Sequence, residues 1–403
     1  MAPSRYPDPR ADTFDVVSAA IAERATKHGR VAIDTEFVSE RRYQAQLCLL
    51  SVAVPDADSP DGVHTEVLDP LDDSSALDPA PLARVLADPE VEVLVHAGRQ
   101  DVAILRRTWD TDITHVFDTQ VGAGFLGFGN QEGYESLVKR VLGVRLRGGE
   151  GFTRWDKRPL TETQIDYAAD DARCLLALGD ALERDLKERG RLEWAREECR
   201  AVEDSRDERT PERAYDRLPK VGRLDAPGRA VAWRLATWRE GVAREMDRPP
   251  AFVVPDQALV ELARRKPRDK GALENIRGLP QQTLHRRGPE LLAEIEAGRD
   301  EDPPAAPPSP PRRDAAEAPL VALAQAVVRH RSMESGVATE LIATQSELSA
   351  LVASVRRGAG SGDVRALQGW RRELVGDELS ALIEGRLSVS VRDDGGLEIR
   401  EAH

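Results

Sequence analysis

The sequence predicts a mixed α/β domain followed by two small all-helical modules. Three observations carry that expectation. Residues 30–69 hold three β-rich runs separated by polar turns, after which extended and helical patterns alternate as far as residue 190. Residues 226–297 and 318–384 instead repeat apolar positions at helical spacing. Between these two stretches, EDPPAAPPSPPRR (301–313) can form neither a helix nor a central strand and favours extended polyproline geometry. A chain of 403 residues also exceeds the roughly 250–300 at which a single core stops growing. The expected division is therefore 1–205, 215–299, a linker at 300–315, and 316–403, with the charged stretch near 203–220 as the weaker boundary.

In chain order, RVAIDTEFV (30–38), QLCLLSVAV (46–54) and VHTEVLD (63–69) predict an antiparallel meander. PLARVLAD (81–88) is helical, VEVLVHA (91–97) a strand, RQDVAILRRT (99–108) a helix and HVFDT (115–119) a short strand. A long helix starts after Thr161, whose spacing to Gln164 matches a capping box, and Gly190 stops it. This order implies a mixed sheet flanked by helices. The second stretch predicts helices at 226–246, 256–265 and 280–297, and the third at 318–330, 338–356 and 370–384. LSVSVRDDGGLEIR (387–400) then signals a terminal hairpin at Asp394-Gly395.

No apolar run approaches the ~18 residues of a membrane span, and the first thirty residues lack the order of a secretory signal. A soluble cytoplasmic protein is expected, with no membrane partner. Cys48, Cys174 and Cys199 are an odd, scattered set without a CxxC pair, which excludes a disulfide framework and a thiolate zinc site. The net charge of −14 opposes a nucleic-acid partner, whose phosphates are bound by Lys and Arg. The charge is uneven, however: residues 217–298 carry 16 Lys and Arg against 11 Asp and Glu.

Asp34 and Glu36 stand two apart within an apolar strand, so they leave one face together, where charge is normally excluded. Asp101 opens a helix after a short turn, a placement that the helix N-terminus alone would favour. Tyr167 and Asp171 are i and i+4 on the long helix and share a face, whereas Asp170 is rotated by about 100°. Each feature alone has an ordinary structural explanation; converging carboxylates do not, since each close pair repels by ~4 kcal/mol at an effective dielectric near 20.

The strings DTEF (34–37), HAGRQD (96–101) and YAADD (167–171) resemble the three motifs of the DEDD exonuclease superfamily in its tyrosine-containing branch. DTQVGAGFLGF (118–128), LVKRVLGV (137–144) and RPLTETQIDYAADDA (158–172) around them resemble the ribonuclease D family. The resemblance implies a ribonuclease H-like fold over about residues 25–185 and a 3′→5′ exoribonuclease. It further implies two divalent cations, Mg²⁺ or Mn²⁺, with Asp34, Glu36, Asp101 and Asp171 as their ligands. Such a pair of cations suits in-line phosphodiester hydrolysis, and hard oxygen donors suit these ions. Asp34 is expected to bridge the two, Glu36 and Asp171 to complete the water-activating site, and Asp101 to support the second ion. Tyr167, with an ordinary pKa of about 10, is expected to orient water rather than act as a full base. His96 is either a packing residue at the strand end or a substrate contact. Ser51, where many relatives carry Gln, and the extra Arg in VSERRYQAQL depart from the family pattern and bear on substrate preference.

IRGLPQQTLHRRGPELLAEI (276–295) resembles an HRDC domain, a nucleic-acid-binding module, through Gly278, Leu279, Pro280, Gly288 and the helix ending at Ile295. Arg264, Arg265, Lys266, Arg268 and Lys270 form a basic run able to follow a phosphate backbone. Trp233 and Trp238 are assigned to the core of that module rather than to base stacking. GWRRELVGDELSALI (369–383) resembles a second HRDC-like domain. Two such modules after an exonuclease imply an RNA partner with structure and a short 3′ tail, such as a tRNA precursor, acted on by a monomer. The rival readings are a DNA-directed 3′→5′ exonuclease and a non-catalytic RNA-binding scaffold.

Overall fold

The computed structural model describes residues 14–72, 78–146, 148–149, 151, 153–305, 315–358, 364–393 and 395–402. Most of the linker expected over 300–315, and Asp394 of the hairpin signal, lie outside the described residues. The chain forms two compact units. One comprises Met1–Glu36, Leu47–Arg206 and Arg313–His403, and the other Phe37–Gln46 and Asp207–Arg312.

The first unit is built on a five-stranded mixed sheet in the order β3-β2-β1-β4-β5, with β1 Arg30–Val38, β2 Gln46–Pro55, β3 Val63–Leu68, β4 Glu92–Val95 and β5 Val116–Asp118. β2 and β3 are antiparallel, while β4 runs parallel to both β1 and β5. The helices before residue 206 are α1 Phe14–His28, α2 Ala80–Leu86, α3 Arg99–Trp109, α4 Thr119–Gly124, α5 Tyr134–Leu142, α6 Glu162–Glu188 and α7 Leu192–Glu203. Val31, Ala32, Ile33 and all of β4 are buried, as strands covered on both faces require. Thr161 caps α6 with the reciprocal Gln164 contact, and Gly190 follows at φ +66°.

The second unit contains α8 Pro211–Asp216, α9 Ala226–Glu245, α10 Pro250–Val253, α11 Asp256–Arg265, α12 Lys270–Glu274 and α13 Gln281–Ala297. Its core gathers Leu235, Leu259, Leu262, Leu284 and Leu291. Residues 37–46 belong here: Tyr43 Oη donates to Glu240 at 2.8 Å, and Arg42 pairs with Asp247 at 2.8 Å.

Residues 315–402 share the core of the first unit. They form α14 Ala318–Ser335, α15 Thr339–Ile342, α16 Gln345–Arg357, α17 Gly369–Arg371 and α18 Asp377–Ile383, then the hairpin β6 Leu387–Val391 with β7 Leu397–Glu401. Trp370, 1% exposed, meets Phe125 edge-on at 4.8 Å and stacks on Trp194 at 5.7 Å. Arg371 donates to Glu198 at 2.7 Å with both side chains buried, and Ala338 N donates to Gly124 O at 2.9 Å. The helix expected over 338–356 is broken, because Ala343 is extended and Thr344 caps a new start through a capping box with Glu347. The helix expected over 370–384 widens into a π turn at Arg372–Gly376, where Gly376 lies so close to Ala366 O that a Cβ would clash. Among the described residues no helix is long and apolar enough to cross a membrane, and Cys48, Cys174 and Cys199 are buried free thiols.

Candidate active site

β1 delivers Asp34 and Glu36 on one face while Ile33 and Thr35 turn into the core. α6 brings Asp171 to the same place, and oxygen atoms of Asp34, Glu36 and Asp171 lie within 4.8 Å of one another. They line a cavity of about 560 Å³ together with Thr35, His96, Tyr134, Glu135 and Tyr167. Asp170, one residue before, turns away and pairs with Arg173 at 3.0 Å. Burial, reinforced by mutual repulsion, pushes Asp34 well above the usual carboxylate range and Glu36 up to about 8. Asp171 is pushed up to about 7, mainly by burial, against the hydrogen bond from Tyr167. No Lys or Arg lines the cavity among the described residues. An all-oxygen acidic set with no side-chain counter-charge fits a hard divalent cation.

Asp101 stands beside this trio rather than in it. It occupies the first turn of α3, where its Oδ1 accepts from Thr35 N at 3.2 Å and from the Thr35 hydroxyl. Burial raises its pKa to about 6 although the Thr35 bonds oppose the shift. The turn ahead of α3 is unusual. Ala97 has φ 51°, a left-handed conformation that costs a non-glycine residue ~1–2 kcal/mol. A Cβ on Gly98 would lie 2.5 Å from the Val95 side chain, so only glycine fits there. The carboxylate of Asp118, at the end of β5, accepts from Ala97 N at 3.0 Å, Gly98 N at 2.9 Å and Gln120 N at 2.8 Å.

Tyr167 lies on the same face of α6 as Asp171. Its phenol is held far up the pH scale, by burial first and then by Asp171, Glu36 and Asp34, so it stays protonated. Tyr134 at the start of α5 donates from its hydroxyl to Asp171 O. His96 lines the cavity, with its ring 5.1 Å from that of Tyr134. Thr119 donates its single hydroxyl proton to Val95 O, so the His96 Nδ1 contact at 2.9 Å makes the imidazole the donor. Burial lowers the His96 pKa and favours the neutral ring. Ser51 is buried in β2 opposite Val67 and does not line the cavity.

Tyr134, Glu135 and Asp118 escape the sequence reasoning. Tyr134 and Glu135 reach the cavity only through the packing of α5 on α6, which no local pattern announces. The signal for Asp118 was an acid directly before a Thr that opens TQVGAG, a helix rich in small residues and held from its first turn.

In the second unit, Arg264 and Arg265 both reach Glu261, and Lys266 pairs with Asp225 at 3.0 Å. Arg268 and Lys270 are exposed, and no ion pair involves them among the described residues. Trp233 and Trp238 pack against the core of that unit.

Residues 14–187 match the 3′-5′ exonuclease family and residues 229–295 the HRDC domain. Ribonuclease D of Granulibacter bethesdensis is 34% identical over 394 residues, 96% of each chain, and that of Nitrobacter hamburgensis is 33% identical over 93% of this chain and 94% of its own. The chain belongs to the ribonuclease D family. The crystal structure of Escherichia coli RNase D, described as an exoribonuclease involved in structured RNA processing, has a TM-score of 0.80 at 28% identity, covering 92% of this chain and 97% of that one. As a member of that family this chain is a hydrolase, a 3′→5′ exoribonuclease, with a mixed-sheet exonuclease fold followed by a helical HRDC domain.

Proposed function

We propose that the chain shortens RNA from its 3′ end to release 5′-mononucleotides with the help of two divalent cations, Mg²⁺ or Mn²⁺, and that 3′-extended tRNA precursors are among its substrates. The observation that carries this is the meeting of Asp34, Glu36 and Asp171 within 4.8 Å in a cavity that no Lys or Arg lines among the described residues. When bound, such cations supply activation of water and charge compensation for the phosphoryl and departing oxygens.

The residues of the chain divide the remaining work. Asp34, repelled by Asp101, Asp171 and Glu36 alike, would be the shared ligand, with Glu36 and Asp171 completing the set. Asp101 supports the second position from beside β1, where Thr35 fixes one of its oxygens. Tyr167, protonated and hydrogen-bonded to Asp171, orients the attacking water without taking its proton. His96 meets the RNA at the cavity wall, and the run from Arg264 to Lys270 meets its phosphates through Arg268 and Lys270, which have no carboxylate partner among the described residues.

Structured RNA is the favoured substrate because the similar Escherichia coli enzyme is described as processing it. The test is digestion of a 3′-extended tRNA with Mg²⁺ or Mn²⁺, with products resolved by length. The wild-type chain should give a ladder shortened one nucleotide at a time, while Asp34→Ala should leave the substrate intact. Equal shortening by both would overturn the assignment, and faster loss of a matched DNA oligonucleotide would replace RNA by DNA. Tyr167→Phe should lower turnover strongly while Mn²⁺ affinity stays near that of wild type.

A further inference from the structure

We infer that Asp118 is a positioning residue for the cation site, setting through the Ala97-Gly98 turn where α3 begins and so where the Asp101 carboxylate stands beside β1. The inference rests on the cation reading above. Asp118 is 1% exposed and lines no part of the cavity, so it touches neither RNA nor cation. What its carboxylate touches is backbone. It accepts from Ala97 N and Gly98 N on one side, from Gln120 N on the other, and its own N–H donates to Cys199 Sγ at 3.3 Å.

Two features separate this from ordinary helix capping. The turn it holds contains an alanine at φ 51°, which persists only where its surroundings fix it. The helix that follows places Asp101 three residues after Gly98, and Asp101 in turn binds Thr35, the residue between Asp34 and Glu36. Asp118 therefore ties β5 and α4 to the strand that carries two of the clustered carboxylates. Asn at this position would keep the shape but turn an NH₂ group toward an N–H donor, leaving Ala97 N or Gly98 N without its acceptor.

Asp118→Asn should bind Mn²⁺ roughly 10-fold more weakly by calorimetry and lose kcat by a similar factor, the usual range for groups that orient metal ligands. KM for a short RNA should stay within about two-fold, and amide exchange at Ala97 and Gly98 should accelerate. Ile21→Ala, a core truncation in α1, supplies the comparison for lost stability alone; it should lower the melting temperature yet leave Mn²⁺ affinity unchanged. Adding Ala97→Gly to Asp118→Asn should recover part of the lost affinity, since glycine adopts positive φ without being held. Wild-type Mn²⁺ affinity in Asp118→Asn, or an equal loss in Ile21→Ala, would overturn the inference. If the wild-type chain binds no Mn²⁺, the cation reading fails, and unchanged exchange at Ala97 and Gly98 would separately show that Asp118 does not hold the turn.

Discussion

The helices between residues 211 and 297 and those between residues 318 and 383 have similar apolar periodicity, yet the first set closes a core of its own and the second shares one with the sheet. In the former, Leu259 and Leu262 of α11 and Leu284 and Leu291 of α13 form the interior together with Leu235 of α9. In the latter, Trp370 is buried between Phe125 and Trp194, and Arg371 and Arg365 both reach Glu198. Helical spacing says that a face is buried; it does not say against what. The C-terminal stretch is thus part of the core of the catalytic unit, whereas the second unit is closed by side chains of its own.

The largest expected effect tests that assignment directly. Trp370→Ala should cost ~3–5 kcal/mol, as large aromatic truncations in cores do, and the loss should appear in the unfolding transition of the unit that carries the sheet. Leu262→Ala should cost ~2–5 kcal/mol and should lower only the transition of the second unit. Calorimetry of both variants decides; a shared drop in one transition would erase the distinction. Next in size is Arg371→Met. Removing one partner of a buried pair costs ~3–5 kcal/mol when the other charge is stranded, but Arg365 still reaches Glu198. About 2 kcal/mol is expected, measured by denaturant unfolding, and a loss near zero would mean that the pair does not hold the C-terminal stretch in place.

How much of this was legible in the sequence follows the range of the interactions. Asp34 and Glu36 were readable because charge inside RVAIDTEFV is anomalous within nine residues. The start of α6 was readable because the Thr161–Gln164 box is local, and Asp171 was separable from Asp170 because helical rotation is. The same local signal at Thr344 and Glu347 marks the break that divides the expected helix over 338–356. What could not be read depends on distant partners. The extra Arg in VSERRYQAQL looked like a departure bearing on substrate, yet Arg42 bonds to Asp247 within the second unit, beside Tyr43, which bonds to Asp247 and Glu240. Tyr134 and Asp118 acquire their roles only once α5 meets α6 and β5 meets the turn before α3.

The two units should also respond to pH with opposite sign. In the cation-free protein Glu36, Asp171 and Asp101 are raised to about 8, 7 and 6. Groups raised on folding hold protons that the unfolded chain has released, so their stabilising contribution is present below the ordinary carboxylate pKa of about 4 and is lost as pH climbs through 6 to 8. Asp225 in the second unit is lowered by its hydrogen bond from Lys266, so its contribution is present at neutral pH and lost as pH falls through the acid range. Raising pH from 5 to 8 should therefore lower the melting transition of the sheet unit and spare that of the other. Saturating Mn²⁺ should abolish the slope, because cations then take the place of protons among the carboxylates. A slope unaffected by Mn²⁺ would separate these raised groups from cation binding.

The smallest effect concerns what the second unit does. Arg264, Arg265 and Lys266 are engaged with Glu261 and Asp225, whereas Arg268 and Lys270 extend from the same stretch without such partners among the described residues. If phosphates are met here, replacing Arg268 and Lys270 by Ala should weaken binding to single-stranded RNA modestly. The log-log dependence of affinity on salt should flatten by ~0.7 for each lost phosphate contact, about 1.4 for both. Replacing Arg264 instead should change the slope far less, because its charge is already answered by Glu261. Equal slopes in all three proteins would place RNA affinity elsewhere, and the net charge of −14 would then need a different basic surface to offset it.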